Sequence, residues 1–258
     1  MLFVLSPAKT LDYETPLDPQ VEALATRPAF VPQAAALIEV LRTLTPADVA
    51  SLMDLSDPLA QLNVARYAAW RSRFTPHNSR PAALAFAGDV YEGLQAGTLD
   101  VDDLRWAQQH VAILSGLYGV LRPLDRLQPY RLEMGTRLAT PGARDLYGYW
   151  GTQLAEHLNA WQAREKAPVL VNLASQEYFK ALPRKALRAR VVDCQFEDWS
   201  AGQWKVVSFF AKRARGMMAR FAIQHRLEKV SQLRDFDTDG YAFDQGVSDE
   251  KRLVFRRR

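Results

Sequence analysis

Apolar positions along the chain fall into short runs and helical stripes. Leu2-Phe3-Val4-Leu5 is uninterrupted apolar sequence and predicts a buried strand at the start. Residues 33–43, 46–54 and 57–71 carry helical spacing, with Asp57-Pro58 supplying a cap followed by proline at the first helical position. Leu84-Ala85-Phe86 predicts a short strand that ends at Gly88. Residues 101–110 predict a helix, with Asp100, Asp102 and Asp103 near the positive end of its dipole. A long helix is expected over 144–165 and a buried strand over 169–173. An antiparallel hairpin should pair 187–197 with 203–211 through Ser200-Ala201-Gly202. A helix over 212–229 follows, and Tyr241-Ala242-Phe243 and Leu253-Val254-Phe255 add short strands. Helices come first and strands cluster late, without regular βαβ alternation. This order predicts a single α+β domain over residues 1–258, its mixed or antiparallel sheet core wrapped by helices, rather than a Rossmann fold or a barrel.

The helix over 212–229 repays projection at about 100° per residue. Ala214, Met217, Met218 and Phe221 form one apolar stripe. Ala219, Ile223, Leu227 and Val230 form a second on roughly the opposite side, so this helix is expected to pack on two sides. Arg213 and Arg220 fall on one edge between the stripes, and Arg215, Arg226 and Lys229 on the other. Guanidinium groups beside a two-sided core either pair with carboxylates or line a cleft.

Composition narrows the class. The 258 residues are 48% hydrophobic and 24% charged, which excludes a disordered tail, a collagen-like repeat and a disulfide scaffold. Cys194 is the single cysteine, so no internal disulfide forms and a reducing compartment fits best. A cysteine-based zinc site or an iron–sulfur cluster held by this chain alone is excluded, and no cofactor is expected. The opening residues lack the basic region and apolar length of a signal peptide, and no stretch is apolar enough to span a membrane. The expectation is a cytoplasmic protein. Charge is uneven: residues 180–229 hold 12 Lys/Arg against 4 Asp/Glu, and residues 1–54 hold 3 against 7. A basic segment and an acidic start suggest an anionic partner at one face, or else a solvated surface with paired charges.

Four segments carry candidate chemistry. Ser6-Pro7-Ala8-Lys9-Thr10 follows the first strand directly. It lacks the glycines of a P-loop, which leaves Lys9 beside two hydroxyls as an anion-binding or nucleophilic lysine, or as a plain turn lysine. Gly88-Asp89-Val90-Tyr91-Glu92-Gly93 sets two carboxylates between glycines, where Asp89 suits acid–base work or helix capping. Gly116 and Gly119 bracket a turn that resembles the glycine hairpin of helix-hairpin-helix DNA-binding modules. Arg122, Arg131 and Glu133 follow it and serve either an anion or a buried ion-pair network. Asn172-Leu173-Ala174-Ser175-Gln176-Glu177-Tyr178-Phe179-Lys180 places Glu177 and Lys180 at another strand end. His77, His110, His157 and His225 are scattered without ligand spacing, and no metal signature is present.

Six segments together have a familiar look: LSPAKTLDY at 5–13, GDVYEGL at 88–94, LSGLYGVLRPLD at 114–125, QPYRLEMG at 128–135, NLASQEYFK at 172–180 and FFAKRARGMMARF at 209–221. In this order they resemble the YaaA family of bacterial peroxide-stress resistance proteins, over nearly the whole chain. The resemblance implies cytosolic protection against hydrogen peroxide, an association with lowered free intracellular iron, and a fold peculiar to the family. It also implies a basic cleft with affinity for duplex DNA and a helix-hairpin-helix-like element.

Three functions follow as expectations. The first is binding of double-stranded DNA by Lys9, Gly116, Gly119, Arg122, Arg131, Lys180, Lys212, Arg213 and Arg215, with Tyr91, Tyr118 or Tyr130 free to stack on a base. The alternative is an enzyme acting on a nucleotide, a nucleobase or a damaged DNA end. It would use Lys9 with Asp89, Glu133 or Glu177 as acid or base. The third, iron binding by Asp235, Asp237, Asp239 and Asp244, is explained better as solvated loop charge.

Overall fold

A computed structural model describes residues 1–258 and centres on an eight-stranded mixed sheet. Its strands are β1 (Leu2–Leu5), β2 (Val111–Ser115), β3 (Gly119–Leu121), β4 (Val169–Leu173), β5 (Arg190–Ser200), β6 (Gln203–Lys205), β7 (Ala242–Phe243) and β8 (Arg252–Arg257). The order is β7-β8-β5-β4-β1-β2-β3, with β6 paired to the last residues of β5. Strand β1 lies between β2 and β4 and runs parallel to both, with Leu5 opposite Ile113 on one side and Leu173 on the other. All of β1 is buried, which explains its lack of polar alternation. The chain is thus a single α+β domain with a mixed sheet. Strands β8, β5, β4, β1 and β2 form its parallel centre, and antiparallel β7 and β3 close the two edges.

Helices α1 (Val31–Arg42), α2 (Pro46–Met53), α3 (Asp57–Ala69) and α5 (Val101–His110) fall close to their expected positions. Between them lies α4 (Asp89–Leu94). Thr45 and Asp48 form a reciprocal capping box on α2, and Asp100 accepts a hydrogen bond from the Asp103 N–H on α5. Ser56 rather than Asp57 occupies the cap position of α3. None of the helices is long and apolar enough to cross a membrane.

Three expected elements differ. Leu84 and Ala85 belong to a helical turn, Ala82–Ala85, and only Phe86–Ala87 is extended, pairing with Thr10–Leu11. The helix expected over 144–165 is two, Leu146–Trp150 and α6 (Gln153–Trp161), because Gly151 takes φ 50°, ψ −120°. The expected hairpin forms, but its second strand is short. Ala201 and Gly202, at φ 53° and 80°, make the turn, and the chain enters helix α7 (Ser208–Gln224) after only three paired residues. Ala211, Ala214, Met218, Ala219 and Ala222 are all buried along α7, so helical burial wins over the aromatic β-propensity of Phe209 and Phe210. The helix ends before Leu227 and Val230, which the projection had included.

No helix-hairpin-helix element forms at residues 114–125. The glycine turn joins β2 to β3 as a β-hairpin. Gly116 and Gly119 are buried and serve packing. A Cβ on Gly116 would lie 2.2 Å from the Leu132 carbonyl oxygen, and Gly119 has φ 66° with Trp150 against it.

Helices α4 and α7 cross at main-chain distance. A Cβ on Gly93 would lie 2.1 Å from the Arg213 carbonyl oxygen, and one on Gly216 would lie 1.8 Å from the Val90 carbonyl oxygen. Neither backbone has room to give. Gly93→Ala and Gly216→Ala should each cost about 2–3 kcal/mol, as overpacking against main chain does. Gly97→Ala, whose new methyl would meet only the Leu84 side chain at 3.9 Å, should stay within about 1 kcal/mol of the parent. Urea unfolding of the three variants checks this; equal midpoints would show that the helices can slide apart.

Candidate functional site

The strand order reverses between β1 and β4. From β1 the chain moves to β2 on one side, and from β4 it moves to β5 on the other. In open α/β sheets a crevice opens at such a point, beyond the carboxyl ends of the strands. Ser6 directly follows β1, and Ser175 lies two residues after β4. The Ser6 hydroxyl oxygen accepts the Ser175 N–H at 2.9 Å, and the two hydroxyls lie 3.4 Å apart. Above this seam is a cleft of about 430 Å³. Its walls come from residues 6–10, residues 87–90 at the start of α4, Glu133, the Ser175–Tyr178 turn, and Lys212 and Arg215 of α7.

Six expected site residues meet here: Lys9, Asp89, Glu133, Glu177, Lys212 and Arg215. The Lys9 ammonium lies 3.1 Å from Glu133, whose other oxygen takes Arg131 at 3.1 Å. Lys212 lies 3.6 Å from Asp89 across the α4–α7 crossing. Asp89 therefore faces the cleft and does not cap its helix; Gly88 occupies the cap position. Glu177 accepts the Gly135 N–H at 2.9 Å. Lys9 and Lys212 are 63% and 51% exposed and stand at the mouth.

Arg215 is different. It makes no ion pair, and its buried Nε has no acceptor. Burial pulls its guanidinium down from the ordinary value, because no carboxylate offsets the loss of water. A buried donor left unmatched costs about 1–3 kcal/mol. The two Nη groups also have no acceptor in the protein, and they are the part of the guanidinium left for an oxygen-rich anion in the cleft. Two phenols flank the site: Tyr91 donates to the Ser6 carbonyl oxygen at 3.1 Å, and Tyr178 lines the wall. Burial lifts both far above the usual tyrosine range, so they remain protonated donors.

The other expected contacts lie elsewhere. Arg122 is held by Asp125, which is itself buried and also bonded to Thr26, so this pair belongs to the scaffold. Arg131 is 16% exposed and reaches the cleft only through Glu133. Lys180 is exposed just past the Ser175–Tyr178 wall, its Nζ 4.5 Å from the centre of the Tyr147 ring. Arg213 points away from Arg215, as the helical projection required. It lies 3.8 Å from Asp239 in a separate recess with Arg220 and His225. Tyr118 and Tyr130 cannot stack on a ligand; both are buried, bonded to Trp70 and Ser115. Tyr91 is buried as well. Of the acidic run, Asp239 is shared by Arg213 and Arg257 and Asp244 is held by Arg256, so neither offers a free carboxylate. His110 and His157 pack on Trp106 and Phe30.

Sequence reasoning missed Tyr178 as a wall and the isolation of Arg215. A signal for where Arg215 sits existed, though none for its isolation: Gly93 and Gly216 each lie inside a helix, where glycine needs a packing reason. Their contact carries Arg215 to the strand ends.

Cys194 is buried, and burial pushes its thiol up. Peroxide attacks thiolates, so this side chain is a poor direct sensor. N-ethylmaleimide at neutral pH should label the folded chain at least about 100-fold more slowly than the urea-unfolded chain. Equal rates would mean the thiol is accessible.

The family model described as peroxide stress protein YaaA matches residues 1–246. A UPF0246 protein of Bordetella petrii is 62% identical over the full length of both chains. Similar proteins of Paracidovorax citrulli and Albidiferax ferrireducens are 62% and 61% identical over all of this chain and 99% and 98% of their own lengths. With matches of this extent, the chain belongs to the YaaA family of peroxide stress proteins.

Proposed function

We propose that this protein acts in peroxide defence in the cytoplasm by binding duplex DNA at the face that holds the cleft. The unpartnered Arg215 on the cleft wall carries the reading. Lys9, Lys212 and Lys180 stand at or beside the mouth, where backbone phosphates of a docked duplex would pass. Phosphate contacts of this kind give affinity without sequence preference. Lower free intracellular iron, which the family resemblance implies, is read as a consequence in the cell rather than as metal held by this chain.

A second reading is catalysis on a nucleotide, a nucleobase or a damaged DNA end. The pairing of Lys9 with Glu133, and of Lys212 with Asp89, favours it, since a plain phosphate clamp has no use for acids beside its cations. Borohydride trapping of Lys9 on an abasic-site duplex tests its Schiff-base form; intact binding without an adduct would count against it.

Fluorescence anisotropy on a labelled duplex across a salt series tests the first reading. Log affinity should fall linearly with log salt. The Lys9→Glu/Lys212→Glu variant should bind at least about tenfold more weakly at low salt, with a slope shallower by about 2. Arg213→Glu, in the separate recess, should change little. In cells, the double variant should lose peroxide protection and leave free iron, read by electron paramagnetic resonance, as high as in cells lacking the protein. Wild-type affinity in the double variant would remove the cleft from the interface.

A further inference from the structure

We infer that the cleft receives the terminal phosphate of a DNA strand, a phosphomonoester, rather than a bridging phosphate of an uninterrupted strand. This rests on the DNA-binding reading and narrows it to strand ends. The charges around the cleft are arranged for a single point of attachment. Lys9 and Arg131 share Glu133, and Lys212 faces Asp89. Arg215 alone has no ion-pair partner, and its Nη groups on the cleft wall have no acceptor in the protein.

Hydroxyl chemistry at the same place suits a phosphate. Ser175 Oγ accepts from Ser6 and from the Tyr178 N–H at 3.4 Å each, and its own proton is committed to no protein acceptor. A hydroxyl and a guanidinium at one wall match the oxygens of a phosphate group. A terminal phosphate carries about −1.5 to −2 at neutral pH, against −1 for a bridging one, so it gains more from an uncompensated cation.

The carboxylates decide against a continuous strand. Asp89, Glu133 and Glu177 line the cleft that holds Arg215. An uninterrupted backbone brings a charge about every 3.4 Å along each strand. Seating one bridging phosphate on Arg215 would press its neighbours toward those carboxylates. A strand end brings its charge to one point and leaves the next phosphate free to turn out toward Lys9 or Lys212 at the mouth. The volume, about 430 Å³, is that of a small-ligand pocket and not of a duplex groove.

Three short duplexes of one sequence test this with the full chain: one closed at both ends by hairpin loops, one open with terminal hydroxyls, and one open with terminal phosphates. Wild type should bind the phosphate-ended duplex about tenfold tighter than the other two, and inorganic phosphate should compete away that difference. Arg215→Gln should abolish the preference, lowering affinity for the phosphate-ended duplex about tenfold more than affinity for the loop-closed one. Arg215→Lys, which keeps the charge, should retain part of it, and thermal melts of both variants should lie no lower than the parent's. Equal wild-type affinity for all three duplexes would overturn the inference while leaving DNA binding intact. So would an Arg215→Gln variant weakened equally toward all three. If wild type binds no duplex, the DNA reading fails. Calorimetry with inorganic phosphate and a nucleoside monophosphate then decides the phosphate site: binding lost in Arg215→Gln keeps it, and no binding removes it.

Discussion

The crossing of α4 and α7 at Gly93 and Gly216 is the constraint on which the cleft depends. Two helices meet there at main-chain distance, with no side chain between them. Asp89 starts one helix, and Lys212 and Arg215 lie within a turn of the contact on the other. A wider crossing would move the cations away from Ser6 and Ser175. The glycines cost conformational entropy within their helices, and the close approach they permit recovers it through continuous contact. The chain accepts a local helical penalty to hold a tertiary geometry.

The second element of the design is the seam between β1 and β4. Both strands are parallel and central, and the chain leaves them in opposite directions. The two exits part and leave backbone and hydroxyl groups facing an opening. The Ser6 hydroxyl oxygen accepts the Ser175 N–H across it, and Tyr91 fixes the Ser6 carbonyl. These bonds hold a floor on which the charged side chains are displayed. The parallel register places residues far apart in sequence side by side, so the site exists only in the complete sheet.

Charge at the site is balanced more than basic. The excess of Lys/Arg over residues 180–229 suggests a uniformly positive face, but much of it is spent elsewhere. Arg184 holds Asp193 and Arg226 holds Asp103, while Arg213 faces Asp239. What remains in the cleft is a set of ion pairs and one cation without a partner. A site of this kind discriminates more than it attracts: paired charges reject a ligand of the wrong shape, and the unpaired one rewards a single group in a single place.

The sequence by itself determined much of the secondary structure and singled out six side chains that meet at the cleft, among others that do not. The buried run Leu2–Leu5, the capped helices near residues 46 and 101, and the hairpin turn at Ala201-Gly202 are local choices, dictated by side-chain period, cap and turn chemistry. The stripes of α7 also foretold that Arg213 and Arg215 point to different sides. What only the tertiary structure decided was partnership. Gly116 and Gly119 look like a phosphate-binding turn, yet Leu132 and Trp150 close over them. Arg122 looks like a DNA contact until Asp125 takes it, and Tyr118 and Tyr130 look available until Trp70 and Ser115 do the same. Arg215 is singled out by the absence of any such partner. Local sequence sets which groups are present. Whether a charge or a hydroxyl is consumed inside the protein or left for a ligand depends on neighbours brought together from distant parts of the chain.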